Sequence, residues 1–133
     1  MSERILIVED DSFVRKILQS RLGKLGYEPI CAENAGDAIH ICMENPPDLM
    51  ILDLNLVDSA CMDGIRDGYG FLEWLDLNMP DTFIPVIIFT GATHLAPPQK
   101  KMPRNVIGAL RKQRDLSFLF DMIRKALDKR KAA

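Results

Sequence analysis

The sequence has few cysteines, no long apolar run and no strong excess of charge of either sign. Its three cysteines, Cys31, Cys42 and Cys61, are an odd number at spacings that match no zinc or redox motif, so we expect free thiols. No apolar run approaches the length of a membrane-spanning helix, which argues against an integral membrane protein. The formal net charge of −2 gives no indication of binding to nucleic acid or to an anionic membrane.

The amino terminus also lacks an export signal. Residues 1–4 lead directly into a short apolar run, and no small-residue cleavage site follows them. We therefore predict a cytoplasmic protein. A length of 133 residues with 47% hydrophobic residues suits one compact domain, which we predict to span residues 1–133.

The chain does contain an alternation of strand-like and helix-like segments. Five short apolar runs predict strands, at 5–8, 28–32, 49–52, 85–89 and 106–110. Residues at helical spacing follow most of these runs, and we predict helix N-caps at Asp11 or Ser12, at Asn34 and at Asp115. Prolines between 97 and 103 allow only a short helix there. The alternation predicts an α/β fold with a parallel sheet covered on both faces.

Polar residues stand where the predicted strands end. Glu9 and Asp10 follow the first strand, Asp53 the third, Thr90 the fourth and Lys112 the fifth. Ligands bind at the carboxyl ends of the strands in such sheets, so we expect these five residues to converge. Each of them alone is more often a turn, cap or surface residue, and only their joint occurrence indicates a site.

The residue types at this edge favour phosphoryl chemistry with a metal ion. Three packed carboxylates repel one another, and a divalent cation relieves the repulsion. Mg²⁺ prefers oxygen ligands and suits a few carboxylates together with a phosphate. One ionised carboxylate can then act as the nucleophile on phosphorus, while Lys112 and Thr90 contact the phosphoryl oxygens.

Four features of the sequence resemble the receiver domains of response regulators of the chemotaxis-signalling type. They are Ile-Leu-Ile-Val-Glu-Asp-Asp at 5–11, Pro-Asp-Leu-Met-Ile-Leu-Asp-Leu at 47–54, Pro-Val-Ile-Ile-Phe-Thr-Gly at 85–91, and Lys112 at the family's spacing after the threonine. The resemblance covers essentially the whole chain. It implies a flavodoxin-like, doubly wound five-stranded parallel sheet, (βα)5, with strand order 2-1-3-4-5.

The resemblance also implies a role for each residue of the site. Asp53 would accept a phosphoryl group as an acyl phosphate, and Thr90 and Lys112 would hold that group. The implied Mg²⁺ ligands are Glu9, Asp10, Asp53 and Asn55, the last through its main-chain carbonyl. Asp10 would bind the metal directly and Glu9 mainly through water. The phosphoryl donor would be a histidine kinase, a histidine phosphotransfer protein or a small donor such as acetyl phosphate.

Two departures from the family pattern concern the loop after the acceptor. Val57 occupies the position of the family's proline. The family's Asp-Gly pair has candidates at 63–64 and 67–68, and we favour Asp67-Gly68 because Phe71 and Leu72 follow it at helical offsets. The loop at 57–66 is then about seven residues longer than the family norm. It is either a passive insertion or a loop that covers Asp53 or binds a partner.

Two further departures concern the output of the signal. Ala109 stands where receivers often carry an aromatic residue that reports phosphorylation, and Gln113 replaces the proline after the lysine. With the prolines between 97 and 103, these changes predict a remodelled output surface. We expect an active site that works and a signal that is read out differently.

The sequence leaves three functions open. The first is a phosphoryl-accepting switch of a two-component or phosphorelay system. This switch is not an enzyme in the usual sense; it contacts an unknown downstream protein without an attached output domain and could form a weak dimer. The second is a degenerate receiver that serves as a phosphorylation-independent interaction module. The third, a metal-dependent phosphohydrolase, is disfavoured because Asn55 stands where such enzymes need a second aspartate. An excised domain of a longer protein also stays open.

Overall fold

The computed structural model of the chain describes residues 2–56, 68–91, 103–112 and 116–132. Several sequence predictions therefore lie outside the described residues. They are the extended loop at 57–66, the aspartate of the favoured Asp67-Gly68 pair, most of the short helix predicted within 94–104, the change at Gln113 and the cap at Asp115.

The described ranges contain five strands and four helices, which alternate along the chain except that the fifth strand is the next described element after the fourth. The strands are β1 Arg4–Val8, β2 Glu28–Ala32, β3 Leu49–Leu52, β4 Val86–Thr90 and β5 Val106–Arg111. The helices are α1 Ser12–Lys24, α2 Ala35–Glu44, α3 Gly68–Asn78 and α4 Ser117–Ala132. All strand pairs are parallel and the order is β2-β1-β3-β4-β5, which confirms the predicted fold. None of the described helices combines the length and apolar character needed to cross a membrane.

The sheet is buried on both faces because the inner strands are continuous apolar runs. Along β1, Leu6 and Val8 pack towards α2 and α3, whereas Ile5 and Ile7 pack towards α1 and α4. Burial of each such side chain contributes about 1.5–3 kcal/mol relative to exposure. The polar ends of the strands therefore project from a scaffold whose stability comes from two apolar layers.

The starts of α1 and α2 are fixed by the predicted side-chain caps. The carboxylate of Asp11 accepts hydrogen bonds from the main-chain N–H groups of Phe13 and Val14, at 2.8 and 3.4 Å. The amide oxygen of Asn34 accepts one from the N–H of Asp37, at 2.8 Å. Because Asp11 directly follows the acidic pair at 9–10, its cap fixes where the chain turns away from the sheet.

β5 carries one extra residue where it pairs with β4. Val86 of β4 pairs with Val106, and the next residue, Ile87, pairs with Gly108. Ile107 therefore has no pairing partner on β4. Such a bulge bends an edge strand and resets its register. The register beyond the bulge places Arg111 opposite Thr90, and the next residue of the chain then lies at the carboxyl edge of the sheet.

Candidate functional site

Three predicted site residues each come directly after the last residue of a strand, and each extends the parallel hydrogen-bond ladder by one bond. The main-chain N–H group donates to the last carbonyl of a neighbouring strand in every case. The bonds are Glu9 to Ala32 at 3.0 Å, Asp53 to Val8 at 3.0 Å and Lys112 to Thr90 at 2.9 Å. The sheet itself therefore brings these residues to one edge.

The carboxylate of Asp53 is buried and is contacted on both oxygens. Oδ1 accepts hydrogen bonds from the Thr90 hydroxyl at 2.8 Å and from the Asn55 N–H at 3.1 Å. Oδ2 lies 3.0 Å from the ammonium of Lys112. Only 4% of the Asp53 side chain is exposed, so these contacts replace most of its hydration.

Glu9 shares the same ammonium. Its carboxylate forms an ion pair with Lys112, and its other oxygen accepts a hydrogen bond from the N–H of Asp11 at 3.3 Å. Lys112 therefore bridges two buried carboxylates, which would otherwise repel each other. Asp10, next in the chain, is exposed and directs a carboxylate oxygen to the same place.

The three carboxylates form a cluster suited to a hard cation. One ligand oxygen each from Glu9, Asp10 and Asp53 lies within 4.8 Å of the others. Oxygen donors of this type are those that Mg²⁺ prefers, and a cluster partly open to solvent leaves room for the waters that Mg²⁺ retains. The donor set therefore fits Mg²⁺. Asn55 contributes its N–H to Asp53, and its carbonyl as a metal ligand stays a prediction.

The close packing shifts the pKa of each partner. Burial raises the pKa of Glu9 from 4.5 to about 7; Asp53 adds to this rise and Lys112 opposes it. Burial alone would raise the pKa of Asp53, but the hydrogen bonds that it receives outweigh burial and lower it. Burial opposes the charged form of Lys112, yet the two carboxylates raise its pKa. At neutral pH, Asp53 is thus ionised, whereas Glu9 lies close to its pKa.

We expect the metal-free protein to lose stability as the pH rises towards 8. The pKa of Glu9 is higher in the folded state than in the unfolded state, so its contribution favours folding fully below 4.5 and is lost as the pH passes about 7. The lowered pKa of Asp53 acts only in more acidic solution, because its contribution is lost as the pH falls below the ordinary 3.8.

Urea unfolding in EDTA at about pH 5.5 and about pH 8 measures this effect. Glu9→Gln should lose less stability than wild type between the two pH values. Glu28→Gln, which changes an exposed glutamate on β2, should behave as wild type. An equal fall in wild type and Glu9→Gln would show that Glu9 is not the group that titrates.

Gly68, the glycine of the favoured Asp67-Gly68 pair, lies very close to the end of the acceptor strand. Its N–H donates to the carbonyl of Leu54 at 3.1 Å. A Cβ at this position would lie 2.8 Å from the main-chain oxygen of Asp53 and 2.9 Å from Cα of Leu54. Since both atoms belong to the main chain, only a glycine lets α3 begin this close to the acceptor strand.

Gly68→Ala is therefore expected to destabilise the protein by about 1–3 kcal/mol, as overpacking against main-chain atoms does. Urea unfolding measures the loss. Gly23→Ala is the matched control in α1, where a Cβ meets no atom within 4 Å, and it should be neutral or stabilising by up to about 1 kcal/mol. Equal stability of the two variants would contradict the crowding at Gly68.

The fold brings Glu9, Asp10, Asp53, Thr90 and Lys112 together, as the sequence predicted from the strand ends. Sequence reasoning missed Arg15, whose guanidinium donates to the main-chain carbonyl of Glu9 at 2.8 Å. Its position four residues after the N-cap was the available signal. The sequence does not, however, indicate which main-chain carbonyl an arginine will contact.

Comparison with known proteins agrees with the fold. The family model described as response regulator receiver domain matches residues 5–124. A Guillardia theta protein named probable transcriptional regulator ycf27 is 31% identical over 94 residues, which are 71% of this chain and 33% of that protein. The regulatory protein AtoC of Escherichia coli K12 is 32% identical over 88 residues, which are 66% of this chain and 17% of that protein. This chain thus spans a third or less of the length of both relatives.

Solved structures resemble the chain over nearly its whole length. The signal receiver domain of a candidate Luxo repressor protein from Vibrio parahaemolyticus has a TM-score of 0.80 and 26% identity, with 99% of this chain and 95% of that chain covered. A CheY-like receiver domain protein of Methanospirillum hungatei JF-1 shares the fold, with a TM-score of 0.78, 23% identity and coverage of 99% and 98%. The chain therefore belongs to the response regulator receiver domains of two-component signalling.

Proposed function

We propose that this receiver domain accepts a phosphoryl group on Asp53 and thereby acts as a signalling switch. The observation that carries the proposal is the set of contacts around Asp53. One buried, ionised carboxylate has a hydroxyl on one oxygen and an ammonium on the other, beside two further acids. In this arrangement, a nucleophile stands next to the two donors that would receive the new phosphoryl oxygens.

The transfer step follows from these positions. A carboxylate oxygen of Asp53 attacks the phosphorus of the donor and forms a new O–P bond. The bond to the leaving group breaks, which is P–N in a phosphohistidine and P–O in acetyl phosphate, and the leaving imidazole or acetate takes the electron pair. Thr90 and Lys112 then donate to the phosphoryl oxygens instead of the carboxylate. Attack by water later releases inorganic phosphate and restores the carboxylate.

Receiver domains generally bind Mg²⁺ at an acidic pocket, and the acids of this chain fit that ion. Glu9, Asp10 and Asp53 would hold it, with the carbonyl of Asn55 as a further ligand in this proposal. When bound, Mg²⁺ offsets the negative charge that carboxylates and phosphoryl oxygens bring to one place. The protein supplies the remaining charge compensation through Lys112.

We further propose that the donor is a histidine kinase or a histidine phosphotransfer protein and that the domain acts through protein–protein contacts. An apolar recess of about 500 Å³ opens beside Lys112 and supports a protein donor. The exposed side chain of Phe13 lines it, together with Ile17, Phe89 and Leu116. A donor that presents an apolar surface would cover this recess while its phosphoryl group reaches Asp53.

In this proposal, residues 1–133 make one receiver domain that needs no attached output domain. The curated relatives are longer and are named as regulators. The size of the native protein in a cell extract distinguishes a separate receiver domain from one that is part of a longer chain. Four expectations stay predictions. They are a cytoplasmic location, the absence of nucleic-acid binding, a weak dimer, and an altered output signal due to Ala109.

Incubation with acetyl phosphate and Mg²⁺, followed by intact mass measurement, tests the proposal. The protein should gain the mass of one phosphoryl group, and EDTA should prevent the gain. Borohydride reduction converts an aspartyl phosphate to homoserine, and peptide mapping should locate this change at Asp53. A protein that gains no mass would instead favour the phosphorylation-independent interaction module.

A further inference from the structure

We propose that Arg15 is a positioning residue for the acidic pair at 9–10, an inference that rests on the Mg²⁺ site of the proposed function. Nη1 of Arg15 donates to the main-chain carbonyl of Glu9 at 2.8 Å. Nη2 lies 3.2 Å from a carboxylate oxygen of Glu33. The Arg15 side chain is 14% exposed, whereas that of Glu33 is 67% exposed, so the bond to the carbonyl is the more sheltered of the two.

The carbonyl that Arg15 contacts belongs to the peptide bond between Glu9 and Asp10. A peptide unit is planar, so its orientation sets the direction in which the chain leaves Glu9 and enters Asp10. The preceding peptide unit is held by the Glu9 N–H, which donates to Ala32 at 3.0 Å. Arg15 thus supplies the second anchor of this short segment. Both acids of the pair depend on that anchor, which acts on their main chain through the Glu9 carbonyl.

α1 explains why an arginine at this position reaches back to the acidic pair. Asp11 caps the helix, and the N–H of Arg15 donates to the carbonyl of Asp11 at 3.0 Å, which closes the first helical turn. Long side chains on a helix point towards its amino-terminal end, and the acidic pair lies in that direction. The planar fork of a guanidinium can serve two acceptors at once, whereas an ammonium is a single point donor.

Arg15→Met tests the proposal because it keeps a long apolar stem and removes both hydrogen bonds. Calorimetric titration with Mg²⁺ alone should show a dissociation constant raised on the order of 10-fold, as loss of an outer-sphere partner does. The Mg²⁺ concentration for half-maximal phosphoryl incorporation should rise in parallel, with the rate at saturating Mg²⁺ unchanged. Partial unfolding would instead lower the saturated rate and leave that midpoint in place.

Three further variants identify the contact responsible. Arg15→Lys keeps the charge and should weaken Mg²⁺ binding by less than Arg15→Met does. Glu33→Gln should leave binding unchanged, because the exposed ion pair contributes little. Arg124→Met is the matched control, since Arg124 forms an exposed pair with Asp121 at 3.0 Å and should also leave binding unchanged.

An Arg15→Met protein with wild-type Mg²⁺ affinity would overturn the proposal. So would a Glu33→Gln protein as weak as Arg15→Met, because the ion pair would then be the important contact. The Mg²⁺ titration does not require phosphoryl transfer. If the wild-type protein gains no phosphoryl group, the proposed function fails on its own while the comparison of dissociation constants still tests Arg15.

Discussion

Asp53→Asn is expected to abolish phosphoryl incorporation from acetyl phosphate. An amide is no nucleophile at phosphorus, and neither of the other clustered acids occupies the position between the Thr90 hydroxyl and the Lys112 ammonium. The fold should persist, because asparagine has nearly the shape of aspartate and its oxygen still accepts from Thr90. The loss of one contact with Lys112 is partly offset by the loss of one of three mutually repelling carboxylates.

Intact mass after incubation with acetyl phosphate and Mg²⁺ measures the effect, and thermal unfolding checks the fold. The melting temperature should stay within about 4 °C of wild type, which corresponds to about 1 kcal/mol for a domain of this size. Asp121→Asn, a change at an exposed aspartate of α4, should gain one phosphoryl group as wild type does. A full mass gain in Asp53→Asn would move the acceptor to another residue and refute the assignment.

Lys112→Met is expected to lower both the stability of the metal-free protein and its phosphoryl acceptance. The variant leaves the buried carboxylates of Glu9 and Asp53 without the ammonium that bridges them. Because Lys112 is 26% exposed, we expect a loss of about 2–3 kcal/mol at pH 8, below that of a fully buried pair. The loss should shrink at lower pH, where Glu9 takes up a proton; its pKa is raised by burial, and the variant lacks the ammonium that opposes this rise.

The rate of phosphoryl incorporation in Lys112→Met should fall on the order of 100-fold, because one donor to the phosphoryl oxygens is lost. Urea unfolding in EDTA, followed by the fluorescence of the single tryptophan, measures the stability. Lys112→Arg keeps the positive charge and should recover much of the lost stability. The double variant with Glu9→Gln should be more stable than Lys112→Met alone. If Lys112→Met lost the same stability at pH 5 and at pH 8, the ion pair between Lys112 and Glu9 would not be the cause of the loss.

The fold could be predicted from the sequence because local and global signals agree. The apolar runs at 5–8 and 49–52 are short, branched and continuous, which suits strands buried on both faces, and the caps at Asp11 and Asn34 lie where the helices begin. The bulge at Ile107 could not be predicted. Ile107 continues an apolar run, and its extra position arises only from pairing with β4.

The site was predictable to the extent that parallel strands end at one edge. Residue types and strand ends were sufficient to bring Asp53, Thr90 and Lys112 together. The unequal pKa values of Glu9 and Asp53 were not predictable, because they depend on burial and on which hydrogen bonds each carboxylate receives. The contact between Arg15 and the Glu9 carbonyl was missed for a similar reason, since every residue offers the same main-chain acceptor.

The ladder bonds beyond the strand ends bear on how this domain can diverge. At positions 9, 53 and 112, the main chain is held by its own N–H groups, whatever side chain stands there. A lineage can therefore exchange the acid at position 53, alter or extinguish the chemistry, and still inherit a scaffold whose main chain is held in place. Loss of phosphoryl transfer and loss of structure are separable evolutionary events in such a protein.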